Sequence, residues 1–190
     1  MAKENMSEYV ILGLLTHEDL SGYDIKKRID ISISNFWEIG YGQIYPTLKS
    51  LQRDGYITGS TAQSAIGPDR IVYSITSAGT KKLSTWLALP EHRENVKYEI
   101  LLKVFFGSLL PRDETISRIE VFKRNHLAKS QQMTAYKENL QGVLSEEDDH
   151  LYFYLTVLFG EHMYQAYLNW ADEAIALLKQ YSKSNKKENN

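Results

Sequence analysis

Residues 42–57, which read GQIYPTLKSLQRDGYI, combine an apolar stripe with a row of hydrogen-bonding and cationic side chains. Ile44, Leu48 and Leu51 are spaced by four and three residues, as on one face of a helix. The opposite face carries the amide, hydroxyl, ammonium and guanidinium groups of Gln43, Tyr45, Lys49 and Arg53, with Pro46 between them. Such groups suit the phosphates and base edges of nucleic acids. The pattern predicts a helix that packs by one face and offers the other to a ligand.

Two residues set the predicted limits of this helix. A start near Gly42 or Gln43 places Pro46 in the first turn, where backbone N–H groups have no intrahelical partner and proline costs little. Gly55 is expected just after the helix C-terminus, where a left-handed backbone favours glycine. Proline therefore stiffens the start of the helix, and glycine ends it.

Two shorter helices are predicted to precede this one. Residues 7–15 are largely apolar and predict a first helix that is buried on most sides. Ser21 is the predicted N-cap of a second helix that runs to about Ile29, with Asp24 three residues later in a variant of the capping box. The first half of the chain therefore starts with three helices in succession.

A β-hairpin and a fourth helix are predicted to follow. YITGS and RIVYSI are β-branched and aromatic runs, and the turn-rich segment TAQSAIGPD separates them. Thr76 is the predicted N-cap of the next helix, which stops at Pro90. Three helices, a hairpin and a helix form the order of a winged helix-turn-helix, whose third helix enters the DNA major groove. This order adds Ser21, Tyr23 and Arg70 to the predicted DNA contacts.

The second half of the chain predicts long helices. Residues 96–110 form a mostly apolar pattern, and Asp113 is the predicted N-cap of a helix that runs to about Gln141. The apolar positions of this helix alternate in steps of three and four, as in a heptad seam. After a reversal at GVLSEEDDH, Ser145 is suited to cap a last helix that extends to about Tyr181. Two long helices joined by a short loop predict an antiparallel hairpin.

The last helix carries apolar and aromatic side chains around much of its circumference, more than one partner helix can cover. Surplus apolar surface of this kind indicates association, and a homodimer is the simplest closed assembly. The residues predicted to form the dimer interface are Leu151, Leu155, Leu158, Phe159, Tyr167 and Trp170.

Composition limits the function classes that need consideration. The chain of 190 residues has no cysteine, which excludes disulfides and thiolate metal sites and favours a cytoplasmic location. No stretch approaches the roughly 20 apolar residues of a membrane helix, and the first residues lack the layout of a signal peptide. Residues 1–90 carry nine Lys or Arg and nine Asp or Glu. DNA binding therefore depends on a local patch rather than on global charge.

Neither catalysis nor a cofactor is indicated. GYGQIY has two glycines but follows no predicted strand, so it does not resemble a phosphate-binding loop. The five histidines show no metal-ligand spacing, and no Ser/His/Asp arrangement is recognisable. The rival interpretation is a winged-helix module that binds proteins without contacting DNA. Such modules often lack cations on the third helix, whereas Lys49 and Arg53 are present here.

The segments GQIYPTLKSLQRDGYI and RIVYSITSAGTKKLSTWL resemble the N-terminal domain of PadR-type transcriptional regulators. YVILGLLTHEDLSGYDIKKRI is similar to the first two helices of that domain. The characteristic positions are held by Tyr45, Pro46, Leu48, Leu51, Gly55, Tyr73, Thr76 and Gly79. The long C-terminal helices look like those of the larger PadR subgroup, whose tail resembles that of virulence-gene activators.

The resemblance implies a homodimer that binds a two-fold symmetric DNA operator, usually as a repressor. It also implies C-terminal helices that exchange between subunits and, as in many members, release of DNA on binding a small aromatic compound. We therefore expect a mainly α fold with a winged helix-turn-helix DNA-binding domain over residues 1–90. A helical dimerisation domain over residues 91–182 and a disordered tail over residues 183–190 complete the expected organisation.

Overall fold

Three helices with a shared apolar centre form the start of the structure. The computed structural model describes residues 5–62, 70–91 and 96–184, and these helices are α1 (Met6–Leu14), α2 (Gly22–Ser32) and α3 (Tyr41–Arg53). Their buried side chains include Ile11, Leu12, Ile25, Ile29, Ile44, Leu48 and Leu51. The predicted apolar stripe of α3 is thus its inner face, and the polar side chains lie on the other side.

The predicted signals at the start of α2 and the end of α3 are confirmed. The hydroxyl of Ser21 accepts a hydrogen bond from the backbone N–H of Asp24 at 3.2 Å and donates to its carboxylate at 2.6 Å. Gly55 has a φ of 76°, and the N–H of Tyr56 donates to the carbonyl of Leu51 at 2.9 Å. This left-handed glycine and the returning hydrogen bond form a Schellman motif.

The start of α3 differs from the expectation. The helix begins at Tyr41, after an extended Gly40 whose carbonyl accepts the N–H groups of Gln43 and Ile44 at 2.9 and 3.2 Å. Pro46 therefore lies in the second turn rather than the first, and the carbonyl of Gly42 has no N–H four residues later. Because Gly42 is exposed, water can satisfy that carbonyl, which makes the proline tolerable.

The predicted hairpin is present and belongs to a three-stranded sheet. Strands β1 (Leu20–Ser21), β2 (Ile57–Ala62) and β3 (Arg70–Ile75) are antiparallel in the order β1-β3-β2. Ile57 pairs with Ile75 and Ala62 pairs with Arg70. The two-residue strand β1 was not predicted. Most of the predicted hairpin loop, residues 63–69, lies outside the described residues.

Helix α4 (Ser77–Leu87) is joined closely to the end of α3. As predicted, Thr76 is its N-cap, with the hydroxyl accepting from the N–H of Gly79 at 3.1 Å. The same hydroxyl lies 2.8 Å from the carbonyl oxygen of Gly55 and 3.0 Å from that of Tyr56. A Cβ on Gly79 would lie 2.2 Å from the Tyr56 carbonyl oxygen, so this contact requires glycine.

The chain divides into two compact units, Met1–Arg93 and Glu94–Asn190. The second unit contains α5 (Glu99–Phe105), a 3-10 turn (Gly107–Leu109), α6 (Arg112–Gln141) and α7 (Asp148–Ser184). Helix α5 is shorter than the predicted helix over residues 96–110. Helix α7 continues two residues into the segment expected to be disordered, and residues 185–190 lie outside the described part of the chain.

The predicted caps of the two long helices are wrong. Pro111 occupies the N-cap position of α6, and Asp113 lies within the first turn. Ser145 does not start α7, because the N–H of Glu146 donates to the carbonyl of Val143 at 3.1 Å in a turn that precedes the helix. Sequence patterns locate such boundaries only to within a few residues.

Helices α6 and α7 form the predicted antiparallel hairpin. Ion pairs Lys123–Asp172, at 2.5 Å, and Lys137–Glu161, also at 2.5 Å, connect the helices in opposite chain directions. Near the second pair, Gly160 allows close approach, since a Cβ there would lie 2.9 Å from a methionine sulfur of α6. No helix in the described part of the chain is long and apolar enough to cross a membrane.

Candidate nucleic-acid interface

The outer face of α3 presents all five side chains that the sequence predicted there. Tyr45 keeps 52% of its surface exposed, and Gln43, Pro46, Lys49 and Arg53 are also exposed. Because the buried stripe fixes the rotation of α3, these groups share one side of the helix. The face offers an amide, a phenol and two cations, which suit base edges and phosphates.

Tyr45 is held in place by its neighbours. A Cβ on Gly22 would lie 2.7 Å from Cε1 of Tyr45, so the ring lies directly against the backbone of α2. Tyr41 stacks on Tyr45 with ring centres 6.4 Å apart, and the ammonium group of Lys26 lies 6.0 Å from the centre of the Tyr41 ring. Burial, with a smaller contribution from Tyr45, raises the pKa of Tyr73 beneath this face.

Tyr41 and Lys26 were missing from the predicted contacts. Tyr41 precedes Tyr45 by four residues, so the helical spacing would have included it had α3 been started one turn before Tyr45. Lys26 is brought to α3 only by the packing of α2, which no local pattern reveals. The exposed face therefore begins at Tyr41, the first residue of α3, with Lys26 of α2 beside it.

The two cations of the α3 face differ in availability. The guanidinium of Arg53 donates to the carboxylate of Asp54 at 2.8 and 3.1 Å and to the hydroxyl of Ser50 at 3.0 Å. The Arg53–Asp54 hydrogen bond raises the pKa of Arg53 and lowers that of Asp54. No carboxylate in the described part of the chain pairs with Lys49. Lys49 is therefore the cation of α3 that is more available to a phosphate.

The remaining predicted DNA contacts lie on α2 and at the base of the hairpin. Tyr23 is exposed in the first turn of α2, and Arg70 is exposed at the start of β3 with its guanidinium 3.7 Å from Oδ2 of Asp24. Ser21 differs from these residues because it is buried and its hydroxyl is used by the cap. The structure thus brings Arg70 close to Asp24 and leaves Tyr23 exposed, while the hydroxyl of Ser21 is hydrogen-bonded to Asp24 within the cap.

The predicted dimer residues fall into two groups, and the first is an exposed stripe. Leu151, Leu155 and Phe159 recur every four residues along α7 and are exposed, Phe159 with 66% of its surface. Leu158, beside them, is half-buried. The segment around α5 adds further exposed apolar side chains: Leu101, Leu102, Phe105, Phe106, Leu109 and Leu110. Exposed apolar side chains grouped in this way are typical of surfaces that associate.

Tyr167 and Trp170 form the second group and pack within their own chain. The ring of Phe122 on α6 lies 5.7 Å from that of Tyr167 and 5.5 Å from that of Trp170, in edge-on contacts. The hydroxyl groups of Tyr167 and Tyr98 are 3.0 Å apart. Burial, followed by this hydrogen bond, raises the pKa of Tyr167. These two aromatic residues hold the hairpin together and are only partly exposed.

Two histidines of the long helices, His126 and His150, contact backbone carbonyl groups of their own chain. Nδ1 of His126 lies 2.8 Å from the carbonyl oxygen of Phe122, and Nδ1 of His150 lies 2.9 Å from that of Val143. Within residues 5–62, 70–91 and 96–184, no three His, Asp or Glu side chains are grouped to hold a metal ion.

Comparisons with known proteins agree with this geometry. The sequence profile of the transcriptional regulator PadR-like family matches residues 11–85, and that of the virulence activator alpha C-terminal domain matches residues 96–179. The negative transcriptional regulator PadR of Bacillus subtilis (strain 168) is 30% identical over 177 residues, which cover 90% of this chain and 96% of that protein.

Two solved structures of that relative are similar over nearly the whole chain. The crystal structure of Bacillus subtilis PadR in complex with operator DNA has a TM-score of 0.82 at 30% identity, covering 91% of this chain and 99% of that one. The structure of the same protein in complex with p-coumaric acid has a TM-score of 0.78 at 29% identity, covering 93% and 99%.

The winged helix, its exposed third helix and the helical C-terminal unit define a DNA-binding type of transcriptional regulator. The chain belongs to the PadR-like family of transcriptional regulators, a family without enzymatic activity. The predicted fold class and the resemblance noted in the sequence are therefore confirmed, including the similarity of the C-terminal helices to virulence activators.

Proposed function

We propose that the protein is a cytoplasmic, sequence-specific repressor that binds a two-fold symmetric DNA operator as a homodimer. Helix α3 enters the major groove with Gln43 and Tyr45 toward the bases and Lys49 toward a phosphate. The observation that carries this proposal is the exposed face of α3, which is built on a buried apolar stripe and contains Lys49, a lysine that no carboxylate of the described residues pairs with.

Flanking contacts come from the two elements beside α3. Tyr23 in the first turn of α2 and Arg70 at the base of the hairpin are exposed on this unit. In a helix-turn-helix the first helix of the pair crosses the phosphate backbone, which suits Tyr23, whereas the ammonium group of Lys26 is mostly covered and pairs with Asp30. Arg53 lies at the far end of α3. Because its guanidinium is already bonded to Asp54, it contributes only a partial phosphate contact.

The dimer is proposed to form through the apolar surface of the helical unit. Two-fold operators have half-sites about 34 Å apart, so one chain must be joined to a second to read both. The stripe of Leu151, Leu155 and Phe159 and the apolar surface of α5 supply contacts that are not used within the described part of the chain.

Repression and release by a small aromatic compound are proposed from the relative. That protein is a negative transcriptional regulator, and its structure is known in complex with operator DNA and in complex with p-coumaric acid. A compound that binds the free protein better than the DNA-bound protein shifts the population toward release.

A footprint on the region upstream of the protein's own gene tests the proposal, followed by a salt titration of the footprinted duplex. We expect protection of two half-sites and a log–log slope of roughly −0.9 per phosphate contact. Failure to protect any duplex, or duplex binding that does not weaken as salt rises, would favour the alternative of a winged-helix protein-interaction module.

A further inference from the structure

Two aspartates lie beside the two arginines of the proposed DNA-binding face. Asp54 pairs with Arg53 at the end of α3, and Asp24 lies 3.7 Å from Arg70 at the start of β3. Lys49, the remaining cation among the predicted contacts, pairs with no carboxylate in the described part of the chain. The acidic partners are thus placed at the arginines, the side chains that can hold a phosphate by two parallel hydrogen bonds.

The guanidinium of Arg53 is already bonded along one edge. Its Nε donates to Oδ1 of Asp54 at 2.8 Å, and its Nη2 donates to Oδ2 of Asp54 at 3.1 Å and to the hydroxyl of Ser50 at 3.0 Å. Among the described residues, these bonds leave Nη1 as the one guanidinium nitrogen without an acceptor. Asp54 therefore occupies a fork of donors that would otherwise suit a phosphate.

The end of α3 is an unfavourable position for a carboxylate. Asp54 is the C-cap of α3, and its backbone N–H donates to the carbonyl of Ser50 at 3.0 Å. This end of a helix carries a partial negative charge, which repels an acidic side chain. The pair with Arg53, whose side chain is 72% exposed, contributes little stability because water and salt screen it. Stabilisation of the helix therefore does not account for this aspartate.

The first half of the chain has no excess of positive charge that could make one ion pair unimportant. Residues 1–90 carry nine Lys or Arg and nine Asp or Glu. Sequence-independent affinity for DNA depends on the number of phosphates that cations neutralise. Because Lys49 and Arg53 are the cations of the α3 face, the state of Arg53 determines a large share of this affinity.

We propose that Asp54 limits the affinity of the protein for DNA of any sequence, by holding the Arg53 guanidinium away from the phosphate backbone. The inference rests on the proposed function, to which it adds the residue that sets the strength of one phosphate contact. Asp54 is a positioning residue in this role, since it acts through Arg53. Phosphate contacts carry no sequence information, so Asp54 affects operator and non-operator DNA alike.

Fluorescence anisotropy of the full-length protein on its footprinted operator and on a scrambled duplex tests the proposal. Asp54→Asn removes the charge and keeps the shape of the side chain. It should raise the affinity for both duplexes about twofold to fivefold at low salt, the range of an exposed ion pair. The log–log salt slope should steepen by up to roughly 0.9, the value for one phosphate. Asp172→Asn, which releases Lys123 in the helical unit, is the charge-matched control and should bind as the parent does.

Asp54 is the better of the two aspartates for this test. The carboxylate of Asp24 also accepts the hydroxyl of Ser21 at 2.6 Å, so a substitution there would disturb the cap of α2 together with the contact to Arg70. Asp54 makes its side-chain hydrogen bonds only with Arg53 and Ser50 among the described residues. Urea unfolding of each variant verifies that it is folded.

The Arg53→Ala background shows whether Asp54 acts through Arg53. Most of the gain from Asp54→Asn should vanish there, because no guanidinium is left to release. A gain of the same size in that background would mean that Asp54 repels DNA directly, and it would overturn the proposal. A gain on the operator alone overturns it too, because that result assigns Asp54 to base recognition.

The scrambled duplex allows the two proposals to fail separately. Parent-like affinity and slope in Asp54→Asn, in a parent protein that binds its operator, overturn the role of Asp54 and leave the proposed function intact. A parent that binds the scrambled duplex as tightly as any candidate operator contradicts the proposed function, while the effect of Asp54→Asn on that duplex still decides the role of Asp54. Absence of all DNA binding overturns both.

Discussion

The ring of Tyr45 lies against the bare Cα of Gly22, with only 2.7 Å between its Cε1 and the position that a Cβ would occupy. This contact lies between the two helices of the helix-turn-helix, α2 and α3. Leu48, one turn further along α3, is the next nearest neighbour, at 3.4 Å from the same position. The glycine thus lets α3 lie close to α2 while its tyrosine remains on the outer face.

Gly22→Ala adds only one methyl group, but we expect it to shift the Tyr45 ring on the DNA-binding face of α3. The new methyl group must displace the Tyr45 ring, and overpacking of this kind costs roughly 1–3 kcal/mol of unfolding free energy. We expect operator affinity to fall about tenfold, or ~1.4 kcal/mol, when measured by fluorescence anisotropy. Denaturant unfolding on the same protein separates loss of affinity from loss of fold.

Gly13→Ala is the matched control for this variant. Gly13 lies within α1, and a Cβ there meets nothing within 4 Å. Alanine is the better helix former by up to about 1 kcal/mol, so this variant should be at least as stable as the parent and should bind DNA equally well. Equal operator affinity in both alanine variants would show that Tyr45 has no part in recognition.

Lys49 and Arg53 should contribute unequally to the salt dependence of operator binding. Lys49→Ala should flatten the log–log slope by roughly one unit, the loss of one phosphate contact. Arg53→Ala should flatten it less, because Asp54 already neutralises that guanidinium. Anisotropy titrations across a salt series measure both slopes, with Lys179→Ala as the control. A slope that Lys49→Ala leaves unchanged would remove this residue from the contacts.

The stability of the helical unit should fall at alkaline pH. Burial raises the pKa values of Tyr164 and Tyr167 above the ordinary value of 10.0. Above about pH 10 the unfolded chain loses these protons more readily than the folded protein, so the stability that is fully present below that pH is lost as the pH rises. Helical ellipticity during urea unfolding at a series of pH values measures this decline.

Tyr167→Phe identifies the source of the alkaline decline. This variant removes one titrating group together with its hydrogen bond to Tyr98, which costs about 1 kcal/mol at neutral pH. Its stability should then decline less steeply than that of the parent above pH 10. Tyr152→Phe alters an exposed tyrosine of the same helix and should retain the parent's decline. Parallel curves for all three proteins would contradict the role of Tyr167.

The parts of the fold that depend on residues close together in the sequence could be predicted from it. The apolar stripe of α3, the cap at Ser21 and the cap at Thr76 each involve residues within one or two helical turns. Strand β1 was missed because two residues, Leu20 and Ser21, become a strand only by pairing with β3, about fifty positions later. Non-local pairing of this kind leaves no pattern in the short segment itself.

The candidate site, like the fold, could be predicted from the sequence only where it depends on spacing along one helix. Helical spacing predicts which side chains share the outer face of α3, because the buried stripe sets the rotation of the helix. It does not predict that Asp54 engages Arg53, since a neighbouring carboxylate has several rotamers that avoid the arginine. Equally, the spacing of Tyr167 and Trp170 indicates a packed face without indicating whether the partner is α6 or a second subunit.

Substitutions at Phe159 and Trp170 should distinguish the dimer contact from the packing of α6 on α7 within one chain. Phe159 is exposed beside Leu155, so Phe159→Ser should leave the unfolding free energy of the monomer nearly unchanged and weaken the dimer. Trp170 packs on Phe122 within the chain, so Trp170→Ala should destabilise the hairpin by about 2–4 kcal/mol. Sedimentation velocity at several protein concentrations measures the first effect, and urea unfolding measures the second.

The Phe159→Ser protein should also bind a full operator less tightly than the parent while binding a single half-site equally well. The two half-sites of an operator act together only while the two chains remain joined, and the second contact then gains from a high effective concentration. Glu173→Gln, an exposed change on the same helix, should alter neither assembly nor binding. If the Phe159→Ser protein sediments as the parent does at every concentration, the stripe of Leu151, Leu155 and Phe159 lies outside the dimer interface.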